Sequence, residues 1–449
     1  MYGSAPPPRS RTHRRSILAG ATVAGVLAGG LTLATGGPAT AGAASTSRIS
    51  VSSTGAQVNA STGQAAISAD GRYVVFQTEA SNLVRGDTNG YPDLFLRDRR
   101  TGSVTRISVT NTGRQADGVA SFPAISLDGR YVTYTSSAPN LVSGDTNGVG
   151  DVFVHDLHTG AVERVSVTST GAQGNSWSGT SVISGDGRFV AFHSGASNLV
   201  AGDTNDIWDV FLHDRRTGRT ERVNVSDIGW QVVGYAYGVA ISADGRFVGF
   251  GSSAPGLVSG DTDQLGDVFV RDVRAGRTER VNEPMTGQIL ETHSTEVAMS
   301  ADGRFVVFNS GAANLVPGDT NNVGDVFVRD RVTGRIERVS LTSAGGESNG
   351  WSTQVTISPD GRFVGFASDA TNLVPGDTNN AGDAFIHDRR TGRTERASVS
   401  TAGVEGNGYS SGPQFSAYGR YALFGSHSTN LVPGDTNGHS DLFLRDRAG

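Results

Sequence analysis

Apolar residues in this chain come in runs of four to six, set between Gly, Asp, Asn, Ser and Thr clusters. Residues 122–167 show one unit. Pro123–Ser126 is a short apolar run ended by Asp128-Gly129, a tight-turn signal. Arg130–Thr135 is β-branched and aromatic and predicts a second strand. After a long loop, Asp151–Asp156 (Asp-Val-Phe-Val-His-Asp) predicts a third strand, closed by Thr159-Gly160, and Val162–Val167 a fourth. No window has a 3.6-residue apolar period, so helix is expected to be nearly absent. The strand cores are apolar on both faces, as in sheets packed on both sides.

The unit repeats. Gly-Asp-Thr-(Asn/Asp) occurs seven times, with its aspartates at 87, 145, 203, 261, 319, 377 and 435, always 58 residues apart. A fixed period without insertions means copies of one structural unit that stack on their neighbours. Seven units of four antiparallel strands predict an all-β, seven-bladed β-propeller. The termini predict its closure. Arg48-Ile49-Ser50-Val51 is a fourth-strand sequence, whereas the chain ends after a third strand, Asp441–Asp446. Residues 48–52 are thus expected to be the outer strand of the last blade, leaving no open blade edge.

Two segments resemble the TolB-type propeller repeat: the Ser-x-Asp-Gly-Arg-(Tyr/Phe)-Val hairpin, from Ser68–Val74 to Ser358–Val364, and the Asp-(Val/Leu)-Phe-(Val/Leu)-x-Asp strand. The seventh hairpin departs, with Tyr418 in place of the aspartate. The resemblance spans residues 46–449 and implies the propeller fold. TolB itself has an α/β domain ahead of its propeller, for which this chain has no room. A Tol–Pal role is therefore not implied.

Residues 1–41 read as an export signal. Arg14-Arg15-Ser16-Ile17-Leu18 precedes a Gly/Ala-rich run, and Ala39-Thr40-Ala41 offers a cleavage site, as in twin-arginine signals. The propeller is then residues 42–449, expected outside the cytoplasm as a secreted or cell-envelope protein without a membrane span and monomeric. The signal holds four arginines and no acids, leaving 33 arginines against 43 acids, a net of −10. That balance argues against nucleic acid as a partner. There is no cysteine to act as nucleophile, ligand or crosslink. No HExxH motif is present.

In each blade the tight turns fall on one face, and the long b–c and d–a loops on the other. Binding usually concentrates on such loops. The b–c loops carry oxygen-bearing trios: Asp87/Asn89/Asp93, Asp145/Asn147/Asp151, Asp203/Asn205/Asp209, Asp261/Asp263/Asp267, Asp319/Asn321/Asp325, Asp377/Asn379/Asp383 and Asp435/Asn437/Asp441. Hard donors at positions 1, 3 and 7 suit a Ca²⁺ loop, although it lacks the late bidentate glutamate of an EF-hand. The competing reading is that these residues cap their own turn amides. In the d–a loops, Trp177, Tyr235, His293, Trp351 and Tyr409 share one register with Ser61 and Val119. Rings beside amides suit stacking on sugars or gripping a peptide. Packing under their own loops is the alternative. His155, His213 and His387 share a strand register with Arg97, Arg271, Arg329 and Arg445, which predicts a polar edge or an Asp partner more than a metal ligand.

The composite expectation is a secreted, non-catalytic propeller that engages a polysaccharide or an extracellular protein through its loop-rich face, possible Ca²⁺ being its one cofactor. The rival is a polysaccharide lyase or glycoside hydrolase at the central channel mouth, with His293, Glu296, Glu291 and Tyr237 as its candidates.

Overall fold

The computed structural model describes residues 43–262, 264–284 and 292–447; the export-signal expectation lies outside them. Seven four-stranded antiparallel sheets form the blades of a propeller. Blade one has strands a to d at Thr62–Ile67, Tyr73–Thr78, Asp93–Asp98 and Val104–Arg106. The later blades repeat this pattern in chain order. Among the described residues helix is limited to one 3₁₀ turn, Ala417–Gly419, at the seventh hairpin, where Tyr418 adopts φ 58°.

The last blade takes its outer strand from the N-terminal side. Ser45–Arg48 pairs with Asp441–Asp446, Ser45 opposite Asp446 and Arg48 opposite Phe443. The closing strand therefore lies three residues earlier than the expected 48–52. Beyond Arg48 the chain keeps one further backbone bond, Ile49 N to Leu442 O at 2.7 Å, and the Ser50 hydroxyl, which accepts from Leu442 N and donates to Asp441, before it turns into the d–a loop. Val51 bridges Gln57 within that loop instead of pairing with the blade.

The apolar strand faces meet between blades, which explains why both faces are apolar. Each buried cluster draws on two neighbours: Val74, Phe76 and Phe95 of blade one pack with Leu423, Leu442 and Leu444 of blade seven. Inside each blade the strand-b and strand-c rings pair, as Phe250 and Phe269 do with centroids 5.7 Å apart. Such pairs add about 0.5–1.5 kcal/mol beyond their burial.

The Ser-x-Asp-Gly-Arg hairpin locks each blade to the preceding one. Ser68 Oγ donates to Asp70 (2.6 Å), whose carboxylate accepts the Arg72 amide (2.9 Å). The Arg72 guanidinium then forks onto Asp98 at the end of strand c, at 3.0 and 2.6 Å. This holds the Asp98 carboxyl down at about 2. Gly71 has φ +70°, and a Cβ there would lie 2.2 Å from the Tyr421 ring of blade seven. Glycine is required both by the backbone and by the approach of the neighbouring blade.

Candidate functional site: a channel mouth ringed by aromatic loops

The b–c loops with the acidic trios are organised by an arginine that sequence reasoning overlooked. In blade one, Arg106 of strand d places Nη1 3.2 Å from Asp87 Oδ1 and 3.3 Å from Asp93 Oδ2. Gln115 donates to the same two carboxylates at 2.9 and 3.0 Å. Ser108 Oγ donates to Asp93 Oδ1 at 2.5 Å. Asn89 Nδ2 donates to Asp93 and to the Ala116 carbonyl, while its Oδ1 accepts the Tyr91 amide. Arg164 serves Asp145 and Asp151 in the same way, Arg222 serves Asp203 and Asp209, and Arg280 serves Asp261 and Asp267. Arg338 joins Asp319 and Asp325, Arg396 joins Asp377 and Asp383, and Arg48 joins Asp435 and Asp441. The amides of Asn147, Asn205, Asn321, Asn379 and Asn437 tie their loops to the next d–a loop as Asn89 does. Asp263 lies outside the described residues.

These residues do not fit Ca²⁺. The guanidinium stands where the cation would sit, and the carboxylate oxygens of blade one face N–H and O–H donors. Among the described residues no group of three or more acidic or imidazole side chains is poised to hold a metal. Asp377 and Asp435 each keep one buried oxygen without a hydrogen-bond partner. Burial pushes both carboxyls up. The trios are capping and ion-pair nodes that hold the loop face in shape. The signal was in the sequence: the Arg of each fourth strand recurs with the same 58-residue period.

The strand-c histidines are buried and bonded to a carbonyl or a threonine rather than to an aspartate. His155 Nδ1 lies 2.9 Å from the Ile107 carbonyl, and His213 and His387 lie 2.9 Å from Thr220 and Thr394. Burial holds all three below the ordinary imidazole range. The equivalent Arg97 and Arg445 donate to carbonyls of the preceding blade, Val51 and Ser400.

Four of the five d–a loop rings, Trp177, His293, Trp351 and Tyr409, have a shared seat. The residue just before strand c is glycine in blades two, four, five and six, and a ring covers it. A Cβ on Gly150 would lie 2.6 Å from Trp177 Nε1, one on Gly324 2.6 Å from Trp351, and one on Gly382 2.9 Å from Tyr409. The Gly266 amide donates to His293 Nδ1 at 2.7 Å. In blade three Trp208 replaces the glycine and tilts onto Trp177, with centroids 4.9 Å apart. One side of these four rings is thus supported by backbone, while Trp351 stays 58% and Tyr409 41% exposed; Tyr235, whose blade lacks the glycine, is 62% exposed. Trp177 is half-buried and His293 exposed. The loop before Tyr235 adds exposed Ile228, Trp230 and Val233, which sequence reasoning did not single out.

The inner strands enclose a cavity of about 600 Å³. Its wall includes Gln64, Thr180, Gly238, Glu296, Gln354 and Gly412, one position of six inner strands in the 58-residue register. In blade two that register holds Phe122. A β-bulge interrupts the inner strand here, as between Thr353 and Thr356. The bulge turns non-glycine residues into the left-handed region: Phe122 (φ 53°), Thr180 (45°), Glu296 (43°) and Gln354 (55°). Each costs of order 1–2 kcal/mol, and such strain clusters at functional sites. The side chains knit neighbouring blades: Val355 N donates to Glu296 Oε2 (3.0 Å) and Gly412 N to Gln354 Oε1 (2.8 Å). Gln354 Nε2 donates to the Tyr409 hydroxyl (2.9 Å), so rim and channel are one surface.

Of the four residues weighed for an enzyme, Glu296 alone lines this cavity. Tyr237 donates its hydroxyl to the Ser294 carbonyl (3.1 Å), and burial raises its pKa to about 12. His293 is engaged by Gly266. Glu291 lies outside the described residues.

Among solved structures, the chain is similar to the β-propeller domain of the Trilobed protease from Pyrococcus furiosus, which is described as having an open velcro topology. Identity is 10%, the TM-score is 0.53, and 86% of this chain and 95% of that one are covered. It is also similar to an oligogalacturonate lyase from Vibrio parahaemolyticus (13% identity, TM-score 0.51, 90% of each chain). An oligogalacturonate lyase in complex with manganese matches at 14% identity and TM-score 0.53, over 90% of this chain and 96% of that one. At these identities the likeness concerns the fold. No family model matches the chain. No curated protein matches it either.

Proposed function

We propose that this chain is a secreted, non-catalytic propeller that binds a polysaccharide across its loop-rich face. The observation that carries this reading is the row of rings at one loop register, Trp177, Tyr235, His293, Trp351 and Tyr409, several lying on glycine backbone. A ring supported from below and open above is a preorganised platform for the apolar face of a sugar. The channel-wall amides and hydroxyls of Gln64, Thr180 and Gln354 suit sugar hydroxyls. Secretion rests on the twin-arginine-like sequence of residues 1–41.

Binding is favoured over catalysis by the make-up of the wall. Glycoside hydrolysis canonically needs two carboxyl groups across the scissile bond. Among the described residues lining the cavity, Glu296 is the one ionisable group, and one of its oxygens is held by Val355 N.

The test is a glycan and cell-wall binding screen on the purified protein, its Trp351→Ala and Tyr409→Ala variants included. Loss of a stacking anchor costs about 2 kcal/mol, roughly thirtyfold in affinity. Melting should move little in Trp351→Ala, because that side chain is 58% exposed. Retained affinity in both variants would overturn the reading, as would cleavage of the bound glycan. Capture of a protein with no glycan bound would replace the polysaccharide by a peptide surface.

A further inference from the structure

We infer that Glu296 is a receiving group for a positively charged amine on the ligand, so that the glycan is an amino-sugar polymer with free amines. This rests on the polysaccharide reading above and narrows it. Three observations converge on Glu296. It lines the cavity wall in the left-handed conformation (φ 43°), a strained placement that the repeat does not require, since Gly238 fills the same register in the neighbouring blade. It is half-buried, and among the described residues no arginine or histidine pairs with it. The acids of the loop nodes are each matched by an arginine, whereas this carboxylate on the channel wall is not. Its Oε2 accepts the Val355 amide at 3.0 Å, which orients the carboxylate and leaves Oε1 for a second donor.

Its neighbours on the wall are neutral: Gln64, Thr180 and Gln354. Tyr409 brings an exposed ring to the same edge through its bond to Gln354. A sugar whose face stacks on that ring and whose amino group meets the carboxylate would satisfy both groups. A polyuronate would instead bring carboxylates toward Glu296, in a propeller already carrying a net charge of −10 over residues 42–449. Like-charge approach in a partly desolvated cavity is unfavourable.

The experiment is calorimetric titration of the wild type and Glu296→Gln with equal-length oligomers of glucosamine, N-acetylglucosamine and galacturonate. Glutamine keeps the acceptor for Val355 N, so melting should be unchanged and confirms folding. The glucosamine oligomer should bind tightest. The substitution should weaken it by about tenfold or more, the worth of one charge-assisted bond, and the N-acetylated oligomer by less than about twofold. Wild-type affinity for the amine form should fall as salt rises and as pH rises enough to neutralise the amine; in the variant both slopes should flatten. Equal binding of galacturonate, or an unchanged glucosamine affinity in the variant while neutral oligomers still bind, overturns this inference and leaves the glycan reading standing. Binding of none of the three overturns both. A basic peptide that binds as tightly as the glucosamine oligomer overturns the assignment to a glycan.

Discussion

Arginine 338, like Arg396, sits at a loop node of three carboxyls. Its Nη1 lies 2.9 Å from Asp319, 3.2 Å from Asp325 and 2.8 Å from Glu347, with 8% of the side chain exposed. In blades one to three the residue at the place of Glu347 is glutamine, which donates to the first aspartate of the trio. Blade five therefore holds three carboxyls around one guanidinium, and burial together with that crowding raises Asp319 to about 6. Arg338→Met would remove the compensating charge and keep most of the packing volume. Breaking a buried pair costs about 3–5 kcal/mol, and the low end applies beneath a surface loop. The cost should depend on pH. Asp319 is raised above its unfolded value of about 3.9, so its contribution is full below that pH and is lost as pH rises through about 6. Without the guanidinium the pKa rises further, and each added unit is worth about 1.4 kcal/mol at alkaline pH. The assay is thermal unfolding of wild type and variant at pH 5 and pH 8. The variant should lose about 3 kcal/mol at pH 8 and at least about 1 kcal/mol less at pH 5. Glu347→Gln, which rebuilds the node of blades one to three, should bring Asp319 down and flatten the wild-type slope over this range. An equal penalty at both pH values, or a penalty below about 1 kcal/mol at pH 8, would refute the arginine as the node's counter-charge.

Because guanidinium groups occupy the place of a cation in the loops, EDTA and added Ca²⁺ should leave the melting temperature unchanged; a chelator-dependent drop restored by Ca²⁺ would reinstate the metal reading. Removing residues 43–50 should strip blade seven of its outer strand, bury no Ile49, and leave Asp435 and Asp441 without Arg48. Melting should fall by ten degrees or more, on the order of several kcal/mol; an unchanged midpoint would show that the ring does not depend on this closure.

The architecture was legible in the sequence because it rests on local and periodic facts. Alternating turns and β-branched runs specify strands, a 58-residue period specifies copies, and a fourth-strand sequence left over at residues 48–51 pointed to the closure of blade seven. The position of that strand slipped by three residues because Ile49 to Ser52 resemble a strand in composition, while the partner strand ends its pairing at Arg48 and the loop claims the remainder. The nodes were half legible. Asp87 and Asp93 are visible as a repeated pair, but their partner Arg106 lies on another strand, and only folding brings that guanidinium between them. The rings of Trp177, Tyr235, His293, Trp351 and Tyr409 were found by register, yet whether a ring packs under its loop or lies open on a glycine depends on the backbone of the blade beside it. The channel bulge was hidden altogether. Nothing local marks Thr180, Glu296 or Gln354 as left-handed. A bulge is a mismatch between two strands, and the cavity those residues share exists only where inner strands from successive blades converge on one axis.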